Sequence, residues 1–425
     1  MSQSNSNIAT PQTSENRTVI MVLALMVSLF MGLLYAFSVF ITPLETTFGW
    51  QRHQTAMTFS FVMVFFSLGM LTGGNIMAKL GPGKTVALGG ILAASGFLIA
   101  SFTPNLYVLY FGYGILGGYG IGVSNLVPTS VLIRWFPDKR GLAMGLVTML
   151  LALGTFFLGT KLAGSLVVSH GWPLTFRVIA ISFFVVVSGC GFFLKFPAPG
   201  YRPKNWTPPA GQADIWGYNR NNVLKTSACW LICLYMLSIQ LGGLMVIGHV
   251  VPFATEQGVE RSKAVMVMGL YALANGVGRL FFGWCSDKFG IKISMVLDCI
   301  FMGAGLLGMI YIFRALGYPG LVISVCLVGF GYAGTVPLAA LLVNSCFGPK
   351  FFPINYGMFT IPGAIFGGIL GPMLGGFIQS QTGSYTIAIL IAASLSIVGI
   401  VVSVLLKPPA RRTDEVSAAP KAAAA

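Results

Sequence analysis

Three residues carry the clearest chemistry: Tyr271, Asn275 and Arg279, spaced four apart in a stretch with no other charge. On a helix that spacing lines them along one face. A guanidinium offers a planar fork of N–H donors, and a flanking amide and phenol add neutral ones. Together they make a receptor for a carboxylate. The competing reading of the same arginine is a latch with an acid, for which Asp298 in the next apolar stretch is the partner. Lys161 and Arg177 also lie in apolar stretches, but near the ends, where a long side chain reaches the interface.

Neutral groups accompany them. Tyr119 sits in Gly117-Gly-Tyr-Gly-Ile-Gly122 and Tyr332 in Gly329-Phe-Gly-Tyr-Ala-Gly334. Such settings leave a ring free to reach a small ligand from either side, or let it fill a gap between closely packed helices. Ser28, Gly32 and Tyr35 form another stripe, and Gln240 and His249 lie on one further apolar stretch. Hydrolytic and metal motifs are missing: there is no Gly-x-Ser-x-Gly and no His-Glu-x-x-His, and His53, His170 and His249 are far apart. The seven cysteines have no metal spacing. No enzyme activity, cofactor or metal is expected.

The elements that hold these residues are set by composition. Of 425 residues 56% are hydrophobic and 8% charged, against roughly a quarter charged in a soluble domain. Twelve apolar windows fall at 19–43, 53–79, 84–103, 107–134, 141–168, 172–195, 226–254, 264–286, 290–313, 319–346, 353–380 and 385–407. Each approaches the roughly 20 residues that cross a bilayer as a helix. The expectation is an all-α membrane protein of twelve transmembrane helices in two pseudo-symmetric six-helix bundles, 18–195 and 226–407. A Pro-, Lys- and Asn-containing linker at 196–225 joins them, and tails at 1–17 and 408–425 flank them. The first window is too long for a signal-peptide core, so no cleavage is expected.

The net charge of +15 does not point to nucleic acid. With the N-terminus inside, eighteen Lys and Arg residues fall in inner segments, while only Arg52, Arg261, Lys263 and Arg314 fall in outer loops. This is the positive-inside asymmetry, and it predicts a multi-pass protein of the plasma (inner) membrane with both termini cytoplasmic.

The halves echo each other. Gly283-Trp-Cys-Ser-Asp-Lys-Phe-Gly-Ile-Lys292 and Gly74-Asn-Ile-Met-Ala-Lys-Leu-Gly-Pro-Gly-Lys84 follow the second helix of each set. Repeated halves with a site between them are how many secondary transporters are built. The 283–292 stretch resembles the signature loop of the major facilitator superfamily, in which an Asp and basic residues lock helix ends. This implies gating roles for Asp287, Lys288 and Arg140. The first copy departs from the pattern, with Ala78 where the family has Asp.

Trp135-Phe136-x-x-Lys139-Arg140-x-Leu142-Ala143-x-Gly145, together with Asn275-Gly-x-x-Arg279, is similar to the monocarboxylate transporter family and its oxalate–formate exchanger relatives. The resemblance implies a proton-coupled carrier of a small carboxylate such as lactate or pyruvate, working by alternating access. Arg279, Asn275, Tyr119, Tyr332, Tyr271 and Tyr35 are the candidate substrate residues. The alternative is an exchanger or exporter of another organic anion, an oxalate-like dicarboxylate or a drug. In the oxalate–formate relatives a Lys on the eleventh helix matches a second carboxylate, whereas 355–364 here holds no Lys. One deep cation fits one carboxylate. The acidic residue that the family places beside the arginine is replaced by Asn275, which cannot titrate, so Asp298 is the remaining candidate for the proton.

Overall fold

The computed structural model describes residues 17–198, 201, 203 and 216–410. Most of the two tails and of the 196–225 linker lies outside the described residues. Among the described residues the regular structure is helical, without strands. A short helix at Arg220–Leu224 precedes the second set, and the long helices are α1 (17–48), α2 (Arg52–Leu80), α3 (Pro82–Ala100), α4 (Leu106–Trp135), α5 (140–170), α6 (171–190), α7 (Ser227–Glu256), α8 (Arg261–Phe289), α9 (Ile291–Leu316), α10 (Tyr318–Phe347), α11 (352–382) and α12 (Thr386–Leu405).

By length and composition, ten helical runs among the described residues can cross a membrane. One of them, Arg140–Cys190, is 51 residues long. It turns at Gly171, whose φ of 79° and ψ of 167° are not helical, and so divides into α5 and α6. α11 is α-helical at both ends, with a π-type stretch over Pro362–Leu370 between them. The twelve apolar windows therefore become twelve helices. Their ends differ most at α1, which passes through a 3-10 segment at Gly32–Phe37 and continues to Phe48. Gly49, at a φ of 68°, stops it there.

Large apolar side chains point outward as well as inward. Phe193, Leu273, Val277, Tyr311, Ile397 and Val404 are each more than half exposed. Water does not tolerate so apolar a surface, but hydrocarbon does, and a helix satisfies its own backbone there.

The two halves use the same devices. The repeat seen in the sequence becomes the same backbone turn, with Gly81 at φ 78°, ψ 169° between α2 and α3 and Gly290 at φ 89°, ψ 159° between α8 and α9. Only glycine adopts such angles without strain. The glycine runs of α4 and α10 also correspond. A Cβ at Gly118 would come within 2.7 Å of the Val62 carbonyl on α2, and one at Gly120 within 2.5 Å of the Ala93 nitrogen on α3. On α10, Gly329 sits as close to the Tyr271 carbonyl of α8, and Gly331 to the Met302 nitrogen of α9. Bare backbone at these points lets each helix press against two neighbours, the usual packing solution in a membrane.

The halves meet on the face of the bundle that carries residues 17 and 410. There α5 packs on α8 so closely that a Cβ at Gly141 or Gly283 would strike the other residue's carbonyl. α2 packs on α11, where a Cβ at Gly74 would lie 2.7 Å from the Ile354 Cα. The Gly141 and Leu142 N–H groups at the start of α5 donate to Asp287 Oδ1 and Oδ2, at 2.7 and 2.8 Å. A residue of one half thus caps a helix of the other, meeting its positive end. Arg134 Nη2 donates to the Pro349 carbonyl at 3.1 Å, and Arg220 Nη2, from the linker side, to the Leu71 carbonyl at 3.2 Å. The protein is closed toward this face.

Removing the cap should loosen that closure. Asp287→Ala is expected to cost the closed state about 1–2 kcal/mol, the worth of an exposed charged helix cap. That is roughly a tenfold shift toward opening. In a cysteine-free background, Ser286→Cys, at a position buried beside Gly141, should then react faster with an aqueous thiol reagent. An unchanged labelling rate would mean that the glycine contacts hold the face shut without the cap.

Candidate substrate-binding site

The α8 stripe forms as its spacing implies, and each member meets a different helix. Tyr271 is buried, and its hydroxyl donates to the Gly243 carbonyl of α7 at 3.3 Å. Asn275, 6% exposed, donates through Nδ2 to the Gly329 carbonyl of α10 at 3.2 Å. Gly329 lacks the side chain that would keep α8 away. The Asn275 Oδ1 then accepts from Arg279 Nε at 3.0 Å. The amide is fixed at one end by α10 and aims the guanidinium with the other. Because the amide is neutral, it orients the cation without cancelling its charge.

Arg279 lies ten residues short of Phe289, about 15 Å along the helix and so near the middle of a hydrocarbon core roughly 30 Å thick. Its Nη1 donates to the Thr148 carbonyl of α5 at 2.7 Å. This bond crosses between the halves. At the same level α5 approaches so closely that a Cβ at Gly145 would lie 2.8 Å from the Arg279 carbonyl. Tyr356 of α11 is buried and stacked on Phe352 at 5.3 Å. The guanidinium and amide of α8 therefore meet carbonyls of α5 and α10 near mid-membrane, a place able to hold a carboxylate by charge and directed donors.

The two glycine-flanked tyrosines stand in opposite halves, both half-buried. The Tyr119 hydroxyl shares a hydrogen bond with Thr72 Oγ1 of α2 at 2.9 Å. The Tyr332 ring lies flat in the space that Gly243 of α7 leaves, its Cγ 2.6 Å from where a Cβ would be. Tyr271 and Tyr332 thus share one glycine as their seat. Tyr35 belongs to the 3-10 segment of α1, and its side chain lies outside the described residues.

Asp298 is fully buried in the second half. Its Oδ2 accepts from the Tyr235 hydroxyl of α7 at 2.7 Å, and its Oδ1 occupies the space left by the missing Cβ of Gly334. No ion pair joins it to Arg279 among the described residues, so the expected alternative, a latch between these two, does not form here. At the closed face Asp287 caps α5, and Arg140 is the first residue of that helix. Lys288 lies over the rings of Trp284 and Phe289, at 5.1 and 5.3 Å. Of the other deep cations, Lys161 is exposed beside Phe156 and Arg177 stacks over Phe102 at 4.6 Å.

One site member escaped the sequence reading. The Thr148 acceptor is a main-chain carbonyl and leaves no mark in residue identity.

The geometry can be set beside known proteins. Residues 21–365 match the description of the Major Facilitator Superfamily. The chain is 26% identical to the oxalate:formate antiporter of Oxalobacter formigenes, over 85% of this chain and 87% of that one. It is 25% identical to monocarboxylate transporter 13 of Rattus norvegicus, over 88% and 84%, and to human monocarboxylate transporter 11, over 87% and 78%. Among solved structures, the Major Facilitator Superfamily transporter FucP in the outward conformation matches with a TM-score of 0.71 at 16% identity, over 92% of this chain and all of that one. The family match runs over most of the chain's length, and the chain is a transporter of the Major Facilitator Superfamily.

Proposed function

We propose that this transporter carries a small monocarboxylate of the lactate or pyruvate type by alternating access, coupled to protons. In this reading it sits in the plasma (inner) membrane with both termini cytoplasmic, as the distribution of its Lys and Arg residues favours. One observation carries the substrate class. A guanidinium near mid-membrane is aimed by a neutral amide and donates across the halves to a main-chain carbonyl. A carboxylate is a stronger acceptor for an arginine than a carbonyl is. Substrate therefore competes for the very bond that helps hold α5 on α8. Tyr119 and Tyr332 would complete its shell from the two halves, with Tyr271 setting the position of α8 against α7.

A second reading, exchange of a dicarboxylate or export of another organic anion, draws on the similarity to an oxalate:formate antiporter. A second carboxylate would need a second cation, and 355–364 of α11 has none. Competition by formate, acetate, lactate, pyruvate and oxalate against labelled lactate uptake in proteoliposomes separates the two. Strong competition by monocarboxylates with weak competition by oxalate supports the first reading. The reverse order supports the second.

Three outcomes are expected. Arg279→Ala should abolish uptake, and Arg279→Lys should recover little, because an ammonium lacks the planar fork. Near-normal uptake by either well-expressed variant would remove the arginine from the site. Tyr119→Phe and Tyr332→Phe should each cost about 1 kcal/mol, several-fold in affinity. If both variants bind as tightly as the parent, the rings serve packing only.

Uptake should also rise with an inward proton gradient. In Asp298→Asn that response should vanish if the buried carboxylate is the proton carrier. A response that survives would acquit Asp298 and leave entry of the undissociated acid as the source of coupling. Uptake in the parent that ignores the gradient would exclude proton coupling altogether.

A further inference from the structure

Gln240 takes no part in the site as described so far. It lies on α7 thirteen residues from Ser227, about 20 Å along the helix, at the depth of Asn275 and Arg279. Its side chain is 9% exposed, and its amide makes no hydrogen bond among the described residues. Yet the amide atoms keep a little open surface. Buried amides in native structures almost always find a partner, and this one offers a donor and an acceptor at the depth of the α8 stripe.

The slot that holds it is built by α11. A Cβ at Gly363 would strike the Gln240 amide nitrogen and lie 2.5 Å from its oxygen, and one at Gly367 would lie 2.8 Å from the Gln240 Cβ. Both glycines belong to the π-type stretch Pro362–Leu370. The next member of the same α7 face is Gly243, since residues three apart are neighbours on a helix. Gly243 is the seat shared by Tyr271 and Tyr332. The amide therefore lies against α11, one step along α7 from the glycine that seats Tyr271 of the Arg279 stripe.

We infer that Gln240 determines specificity. Its amide hydrogen-bonds the hydroxyl or keto oxygen on the carbon next to the carboxylate that Arg279 holds, an assignment that rests on the carboxylate reading above. An amide both donates and accepts, so it serves a hydroxyl and a carbonyl equally. Being neutral, it does not match the charge of a second carboxylate. The preferred substrate is then a 2-hydroxy or 2-keto monocarboxylate rather than a plain alkanoate of the same length.

The test is binding of lactate, pyruvate and propionate by the purified full-length protein and two variants. Gln240→Met keeps the length and removes both hydrogen-bonding groups. Gly363→Ala puts a methyl group where the amide sits, and only the flexible amide end has to yield. Both variants should bind lactate and pyruvate about five-fold more weakly, the worth of one hydrogen bond. Propionate binding should be unchanged, which also shows that the variants fold. If propionate weakens by the same factor, or if lactate binding is unchanged in both, the assignment of Gln240 is overturned while the carboxylate reading stands. A parent protein that binds none of the three acids overturns the carboxylate reading and this assignment with it.

Discussion

A guanidinium near the middle of a bilayer must have its donors met by the protein, because the hydrocarbon around it offers none. Much of the arrangement follows from this one requirement. Arg279 gives one donor to Asn275 and another to the Thr148 carbonyl. Asn275 in turn needs α10 close enough to supply the Gly329 carbonyl. α10 approaches because Gly329 is bare, and α5 approaches because Gly145 is bare. The cation is thus tied to the packing of two other helices, α5 and α10, and to the contact between the halves.

That tie suits a carrier. A cation fully neutralised by a carboxylate on its own helix would gain less from a substrate. Here the partner on the same helix is an amide and the partner across the halves is a main-chain carbonyl. Burial of Asp298 away from the arginine, against Tyr235 and Gly334, preserves the same separation. The second half holds an acid and a base within its core without letting them cancel.

Much of this was legible in the sequence, for a physical reason. Hydrocarbon imposes one length and one kind of residue on every span, so apolar windows mark helices even where 3-10 or π-type stretches interrupt them. The stripe Tyr271–Asn275–Arg279 was legible because helical spacing is fixed. The repeated loop was legible because Gly81 and Gly290 hold angles that other residues avoid. Partners were not. Thr72 against Tyr119, Tyr235 against Asp298 and the carbonyls of Thr148, Gly243 and Gly329 are set by which helices cross at which height. The glycines around Tyr119 show the same limit: composition announces close packing there, but only the fold says that α2 and α3 are what they admit.

The two seams on the closed face are unlike in kind. Between α5 and α8, a carboxylate from one half grips the first amides of a helix in the other. Between α2 and α11, the corresponding loop carries Ala78 in place of the acid, and glycine contact is joined by Arg220 reaching the Leu71 carbonyl from the linker side. A pair of halves fastened in this way need not part as a rigid hinge. The load at the closed face is therefore unequal, with charge carrying one seam and bare backbone contact the other.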